Sequence, residues 1–280
     1  MTATGPLTIL RLTHEGGPEL ETHACPACGA RDLAEFPHPL YRTCSACRSI
    51  VQVSSIEDVQ DYYEDRPLDF THQIRNYRKY LALISRVVDT RSTDLVDIGT
   101  GDGTFLETAA GRFRTVHGCD TSPKARKLLR ARGRLLDPAA GPRTGPRVVT
   151  CSQVIEHQRE PREFLEGLDC RQGDWLVVTA PAADGPNAIR HRRQGSWAAL
   201  SPSHHVCLYS RKGLESLLVS CGMQLVFYGL VWAGGQSLSG QTASFVLECA
   251  KWPVKVLLGR RPRPPVYSGI DSFLAIARPV

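Results

Sequence analysis

The stretch LVDIGTGDGTF, residues 95–105, joins a strand-like apolar run to glycines at alternate positions, Gly99, Gly101 and Gly103. Glycine reaches backbone conformations closed to other residues, and it removes the Cβ that would keep a ligand away from the main chain. A strand that ends this way and leads into a helix offers free backbone N–H groups at the helix N-terminus. The next strand-like run, TVHGC (115–119), is followed by Asp120, a carboxylate placed to accept both hydroxyls of a ribose. Further runs follow at 147–151 (RVVTC) and 175–179 (WLVVT), with helices expected at 103–110, 123–132 and 161–166. This alternation predicts a parallel sheet with helices on both faces. A helix over 211–222 ends at Gly222, and strands are expected at 223–231 and 272–280.

Four ordered motifs narrow the reading. They are DIGTGDG (97–103), DTSP (120–123), VVTCSQVIEHQREPREFL (148–165) and HVCLYSRKGLESLL (205–218). Together they resemble the class I S-adenosylmethionine-dependent methyltransferases, and most of all the subgroup of ubiquinone-pathway O-methyltransferases and natural-product methyltransferases. The resemblance covers about residues 90–230. It implies a Rossmann-like α/β fold with a seven-stranded sheet, and S-adenosylmethionine as methyl donor with S-adenosylhomocysteine as product. It further implies that Gly99 and Gly101 approach the methionine part of the donor beside Asp97. Asp120 would bind the ribose, and Thr121 and Ser152 would line the pocket. The chain departs from the pattern at Arg147, where the family usually has aspartate. It departs again at Gln153, which replaces the first acid of a stretch linked in some relatives to magnesium; a catalytic magnesium is therefore not expected. Asp137 is the weak candidate for an acid near the adenine.

Methyl transfer is an in-line displacement, so catalysis is mainly positioning, helped by a base where the acceptor must lose a proton. Histidine titrates near neutrality, and His157 and His205 are the candidate bases, with His204 beside the latter. A structural role for each histidine is an equal alternative. The segment 187–205 is the candidate acceptor wall. In it Trp197 could stack on a ring and Arg190, Arg192 or Arg193 could bind a carboxylate or phosphate. A surface lid is the alternative. Tyr62, Tyr63 and Tyr77 could close the donor pocket, although such aromatics more often simply pack.

Upstream, Cys25, Cys28, Cys44 and Cys47 form two CxxC pairs separated by fifteen residues. Two such knuckles complete a tetrahedral thiolate site with no open position, so the motif predicts a structural Zn2+ in a zinc ribbon. Two redox-active pairs are the alternative. The expected organisation is an N-terminal segment and ribbon over 1–54, a helical connector over 55–90, and the donor-binding domain over 91–280 with inserts at about 185–205 and 232–271. A helix is expected around 241–258.

The 280-residue chain carries ten cysteines and a formal charge of +6. With no signal-like N-terminus and no bilayer-length apolar run, a cytoplasmic enzyme with reduced thiols is expected and a membrane partner is not. The expected acceptor is a small molecule, anionic or sugar-containing, of specialised-metabolite or surface-polymer biosynthesis. The rivals are an RNA methyltransferase gripping RNA through the ribbon and a non-catalytic donor-binding module. The ribbon has Arg31, Arg42 and Arg48 against Asp32 and Glu35, which is no basic stripe, so nucleic acid is the weaker partner.

Overall fold

Side chains alternate across a strand, so a run buried on both sides must be covered by two separate layers. The computed structural model shows this arrangement; it describes residues 24–53, 68–136, 145–191, 197–232, 250, 251, 253 and 270–280. The elements in chain order are β1 (Leu33–Glu35), β2 (Tyr41–Cys44), β3 (Ile50–Gln52), α1 (Ile74–Ile84), β4 (Asp94–Ile98), α2 (Thr104–Ala109), β5 (Thr115–Cys119) and α3 (Pro123–Ala131). They continue with β6 (Arg147–Ser152), α4 (Pro161–Gly167), β7 (Trp175–Pro181), α5 (Pro186–His191), β8 (Cys207–Leu208), α6 (Arg211–Ser220), β9 (Met223–Trp232) and β10 (Ile270–Pro279).

The main sheet runs β5-β4-β6-β7-β10-β9. Its first four strands are parallel, and β10 lies antiparallel between β7 and β9. Val96, Val149, Leu176, Val178 and Phe273 share one core with Leu165 of α4 and Leu214, Leu217 and Leu218 of α6. Leu95, Val148, Val177, Leu274 and Ile276 share the other with Leu81 and Ile84 of α1, Leu106 of α2 and Leu129 of α3. The helices therefore cover both faces, as the alternation requires.

The family resemblance implied seven strands, and six are present in this sheet among the described residues. Beyond β5, Leu135 makes a single parallel bridge to Gly118. Gly118 N–H donates to the Arg134 carbonyl and Leu136 N–H to that of Gly118.

A second sheet, β1-β2-β3-β8, joins the cysteine-rich segment to the short strand ahead of α6. Sequence spacing gave no sign of this pairing. Residues 1–22, Tyr62, Tyr63, Asp137, Arg192 and Arg193 lie outside the described residues, as does most of the insert at 232–271. Of the helix expected around 241–258, residues 250, 251 and 253 are described and are helical. No helix among the described residues is long and apolar enough to cross a membrane.

Leu176 of β7 is fully buried, whereas Val226 of β9 is 43% exposed. Leu176→Ala is expected to cost about 2–5 kcal/mol of unfolding free energy. Val226→Ala should cost less than about 0.5 kcal/mol. Urea titration checks both.

Candidate active site

The glycine turn is held by a carboxylate that never reaches the surface. Asp97 is 2% exposed and accepts from Thr100 Oγ1 at 2.6 Å and from Thr150 Oγ1 on β6 at 2.5 Å. Burial pushes it up to about 6 despite those two bonds. Asp97 is enclosed by protein and holds the turn through Thr100.

Gly99 and Gly101 sit at φ 70° and 59°, in the left-handed region that favours glycine. A Cβ on Gly99 would lie 2.6 Å from Val154, and one on Gly101 would lie 2.6 Å from the ring of Phe70. The turn is therefore squeezed between the segment after β6 and the segment before α1. Phe70 is tied down by its own N–H, which donates to Asp102 Oδ2 at 3.0 Å. Asp102 also accepts from the Thr104 N–H and hydroxyl at the start of α2. No sequence motif marks Phe70, because its role rests on a long-range contact.

Asp120 closes the other side. Its carboxylate accepts from Gly101 N–H at 2.8 Å and Ser122 N–H at 2.9 Å, which leaves lone pairs on both oxygens for a diol. Burial raises its pKa, and the backbone bonds hold it back. Thr121 comes directly after it. Ser152, at the end of β6, bonds Thr179 through its hydroxyl at 2.8 Å. Asp97, Gly99, Gly101, Asp120, Thr121 and Ser152 thus gather at the carboxyl ends of β4, β5 and β6. This is the edge where open parallel sheets bind ligands.

The histidines expected to act do meet. His157 stands at the end of a 3-10 turn over Ile155–His157, and its ring centroid lies 5.0 Å from that of His205 and 5.4 Å from that of His204. His157 Nδ1 bonds the His204 carbonyl at 2.8 Å, and His205 Nδ1 bonds the Ala199 carbonyl at 2.7 Å. A carbonyl only accepts, so each Nδ1 carries a proton. Burial lowers both rings, His157 to about 3 with help from the neighbouring His205. Both are neutral at pH 7. Gln153, at φ 56°, forms the strained corner between β6 and this turn.

Glu156 completes the cluster and was missed as a site residue. It is fully buried, neither carboxyl oxygen has a hydrogen-bond partner among the described residues, and burial pushes it up to about 8. Ligand atoms of Glu156, His157 and His205 lie within 4.8 Å of one another, close enough to hold one ion between them. The usable signal was a charged pair inside the apolar run VIEH. One sequence expectation changes: Trp197 is 3% exposed and its indole N–H donates to Asp271 Oδ1 at 2.6 Å, so its ring is taken up by the core. Tyr77 packs edge-on against Phe105, the packing role such aromatics more often have.

The four cysteines of the ribbon converge. Cys25 and Cys47 sulfurs are 3.7 Å apart, Cys28 and Cys44 sulfurs are 3.6 Å apart, and all four lie within 4.8 Å of one another. A tetrahedron of sulfurs bonded to zinc has edges of about 3.8 Å. Gly29 and Arg48, each one residue past the second cysteine of a pair, take φ 73° and 71°, which turns both knuckles inward. The donor set fits a structural Zn2+, held by thiolates only.

Comparison with known proteins agrees with this geometry. A family model described as a methyltransferase domain matches residues 70–226, more than half of the chain. No curated protein matches. Among solved structures, the complex of the Haloferax volcanii Trm112 methyltransferase activator with a methyltransferase is similar in fold, with 15% identity and a TM-score of 0.53. The match covers 81% of this chain and 100% of that one. Magnesium protoporphyrin IX methyltransferase from Synechocystis PCC 6803, solved with S-adenosylhomocysteine, has 12% identity and a TM-score of 0.46, covering 79% and 92% of the two chains.

Glu156 gives a test of stability. Its raised pKa means the folded state holds a proton that the unfolded chain gives up near 4.5, so wild-type stability falls as pH rises from there to about 8. Glu156→Gln removes the titration. The variant should match wild type within about 1 kcal/mol near pH 5 and exceed it by about 2–4 kcal/mol at pH 8.5, measured by chemical unfolding. A turn that admits only glycine, an acid held beside it and the family match over 70–226 lead to one conclusion. The chain belongs to the methyltransferase-domain family of class I S-adenosylmethionine-dependent enzymes.

Proposed function

We propose that the protein transfers a methyl group from S-adenosylmethionine to a small-molecule acceptor, with His205 as the base. The observation that carries this reading is the contact of Gly99 with Val154. It sets the donor turn directly against the segment that bears Glu156 and His157. The acceptor chemistry and the donor thus share one edge of the sheet.

S-adenosylmethionine would be held by the main chain at Gly99 and Gly101 beside its methionine part, by Asp120 on the ribose hydroxyls, and by Thr121 and Ser152 along the pocket. It would supply an electrophilic methyl on a sulfonium, and transfer of that methyl to the acceptor would leave the C–S electron pair on sulfur. The acceptor's proton passes to His205. Its Nδ1 is already committed to the Ala199 carbonyl, which leaves Nε2 to receive it. Burial lowers His157 to about 3, and its role is to orient the pair. Zn2+ on Cys25, Cys28, Cys44 and Cys47 has a structural role.

A small, anionic or sugar-containing acceptor of specialised-metabolite or surface-polymer biosynthesis fits a recessed histidine cluster better than a polymer does. His157 and His205 are both only partly exposed. The test is incubation with methyl-labelled donor and fractionated metabolite extract, with the product identified by mass spectrometry. Label in a small molecule is expected. Label in RNA would select the RNA reading, and no label in any fraction would leave a donor-binding module. Asp120→Ala is expected to weaken S-adenosylhomocysteine binding at least about tenfold by calorimetry, since a lost charge-assisted bond costs about 1.5–3 kcal/mol. His205→Ala should retain that affinity while lowering turnover about 10²-fold or more.

A further inference from the structure

We infer that the cysteine ribbon is the mount of the acceptor segment: Tyr41, Gln52 and the Cys47 knuckle hold residues 201–210, and through them His205, in place. The contacts are continuous along that segment. Gln52 reaches it twice, its side-chain amide donating to the Pro202 carbonyl at 2.8 Å and its N–H to the Val206 carbonyl at 2.9 Å. The buried Tyr41 hydroxyl donates to the carbonyl of His205 itself at 3.0 Å. β3 then pairs with β8, Ile50 against Leu208 and Val51 against Cys207.

The second knuckle grips the start of α6. Ser210 caps this helix by accepting from Gly213 N–H, and its hydroxyl donates to the Cys47 carbonyl at 2.5 Å. Ser210 N–H donates to Ser49 Oγ, and Lys212 Nζ to the Ala46 carbonyl. The fit leaves no room: a Cβ on Gly213 would overlap Ser49 Oγ and lie 3.2 Å from Cys47 sulfur. On its other side the same segment meets the catalytic edge, since Val206 N–H donates to the Glu156 carbonyl and His157 bonds that of His204. The ribbon therefore lies on one side of residues 204–206 and the turn bearing His157 on the other. None of the contacts that shape the donor turn at Gly99, Gly101 and Asp120 involves a ribbon residue among those described.

Loosening the ribbon should therefore release His205 while the donor turn stays intact. Tyr41 and Gln52 are positioning residues, and only the naming of His205 as base rests on the proposed methyl transfer. The test compares hydrogen exchange in the full chain as purified, after mild chelation, and in Tyr41→Phe and Gln52→Leu, which keep all four cysteines. Exchange over 197–210 is expected to rise about fivefold in each variant, from the loss of one net hydrogen bond, and further on chelation. Exchange over 95–106 and the calorimetric affinity for S-adenosylhomocysteine should stay within about twofold. With a labelled acceptor in hand, the variants should lose turnover and keep the donor KM. Unchanged exchange over 197–210 would overturn the inference. So would joint loss of protection at both segments with loss of donor affinity, which would make the ribbon a general support of the fold. Because exchange is read without an acceptor, failure of this inference is distinguishable from failure to find methyl transfer.

Discussion

The arrangement depends on one buried carboxylate. Asp97 lies at the end of β4, out of water, and joins three things that would otherwise be independent. It fixes the glycine turn through Thr100 and ties β4 to β6 through Thr150, and within that turn Gly101 N–H donates to Asp120. An unpaired carboxylate in that position would cost several kcal/mol. With two hydroxyl donors it becomes a rigid pin, though one that burial still pushes up towards neutrality.

From that pin the two halves of the edge differ in kind. The donor half is local: a turn, the acid after the next strand and the residue beyond it, all within one strand–turn–helix unit and its neighbour. The acceptor half is assembled from distant pieces. His157 lies after β6, His205 precedes β8, and the ribbon some 150 residues upstream reaches across by way of Gln52. The two halves meet where Val154 packs against the Gly99 turn, two residues before the buried Glu156.

This difference explains what the sequence could reveal. β4, β5, β6 and β7 lie within a residue or two of where apolar alternation places them, because each is a buried parallel strand with a clear start and stop. Four cysteines in two knuckles converge as their spacing implies. β8 was not legible: two residues carry no periodicity, and its partner lies in another part of the chain. Among the described residues the sheet has six strands, with a single bridge from Leu135 to Gly118 beyond β5. Trp197 looked like an exposed ring in a polar stretch, and only the fold reveals Asp271 beneath it. Arg147 departs from the family pattern without a gap in the sheet, because Asp174 accepts from its N–H and binds the β6 entry from the neighbouring loop.

The central claim is that a sulfonium nucleoside settles on the bare main chain after β4. Amide chemical-shift mapping with S-adenosylhomocysteine tests it most directly. The account predicts saturable shifts that are largest at Gly99–Gly103 and at Asp120–Ser122. Saturable shifts centred elsewhere, or none at millimolar ligand, would contradict it.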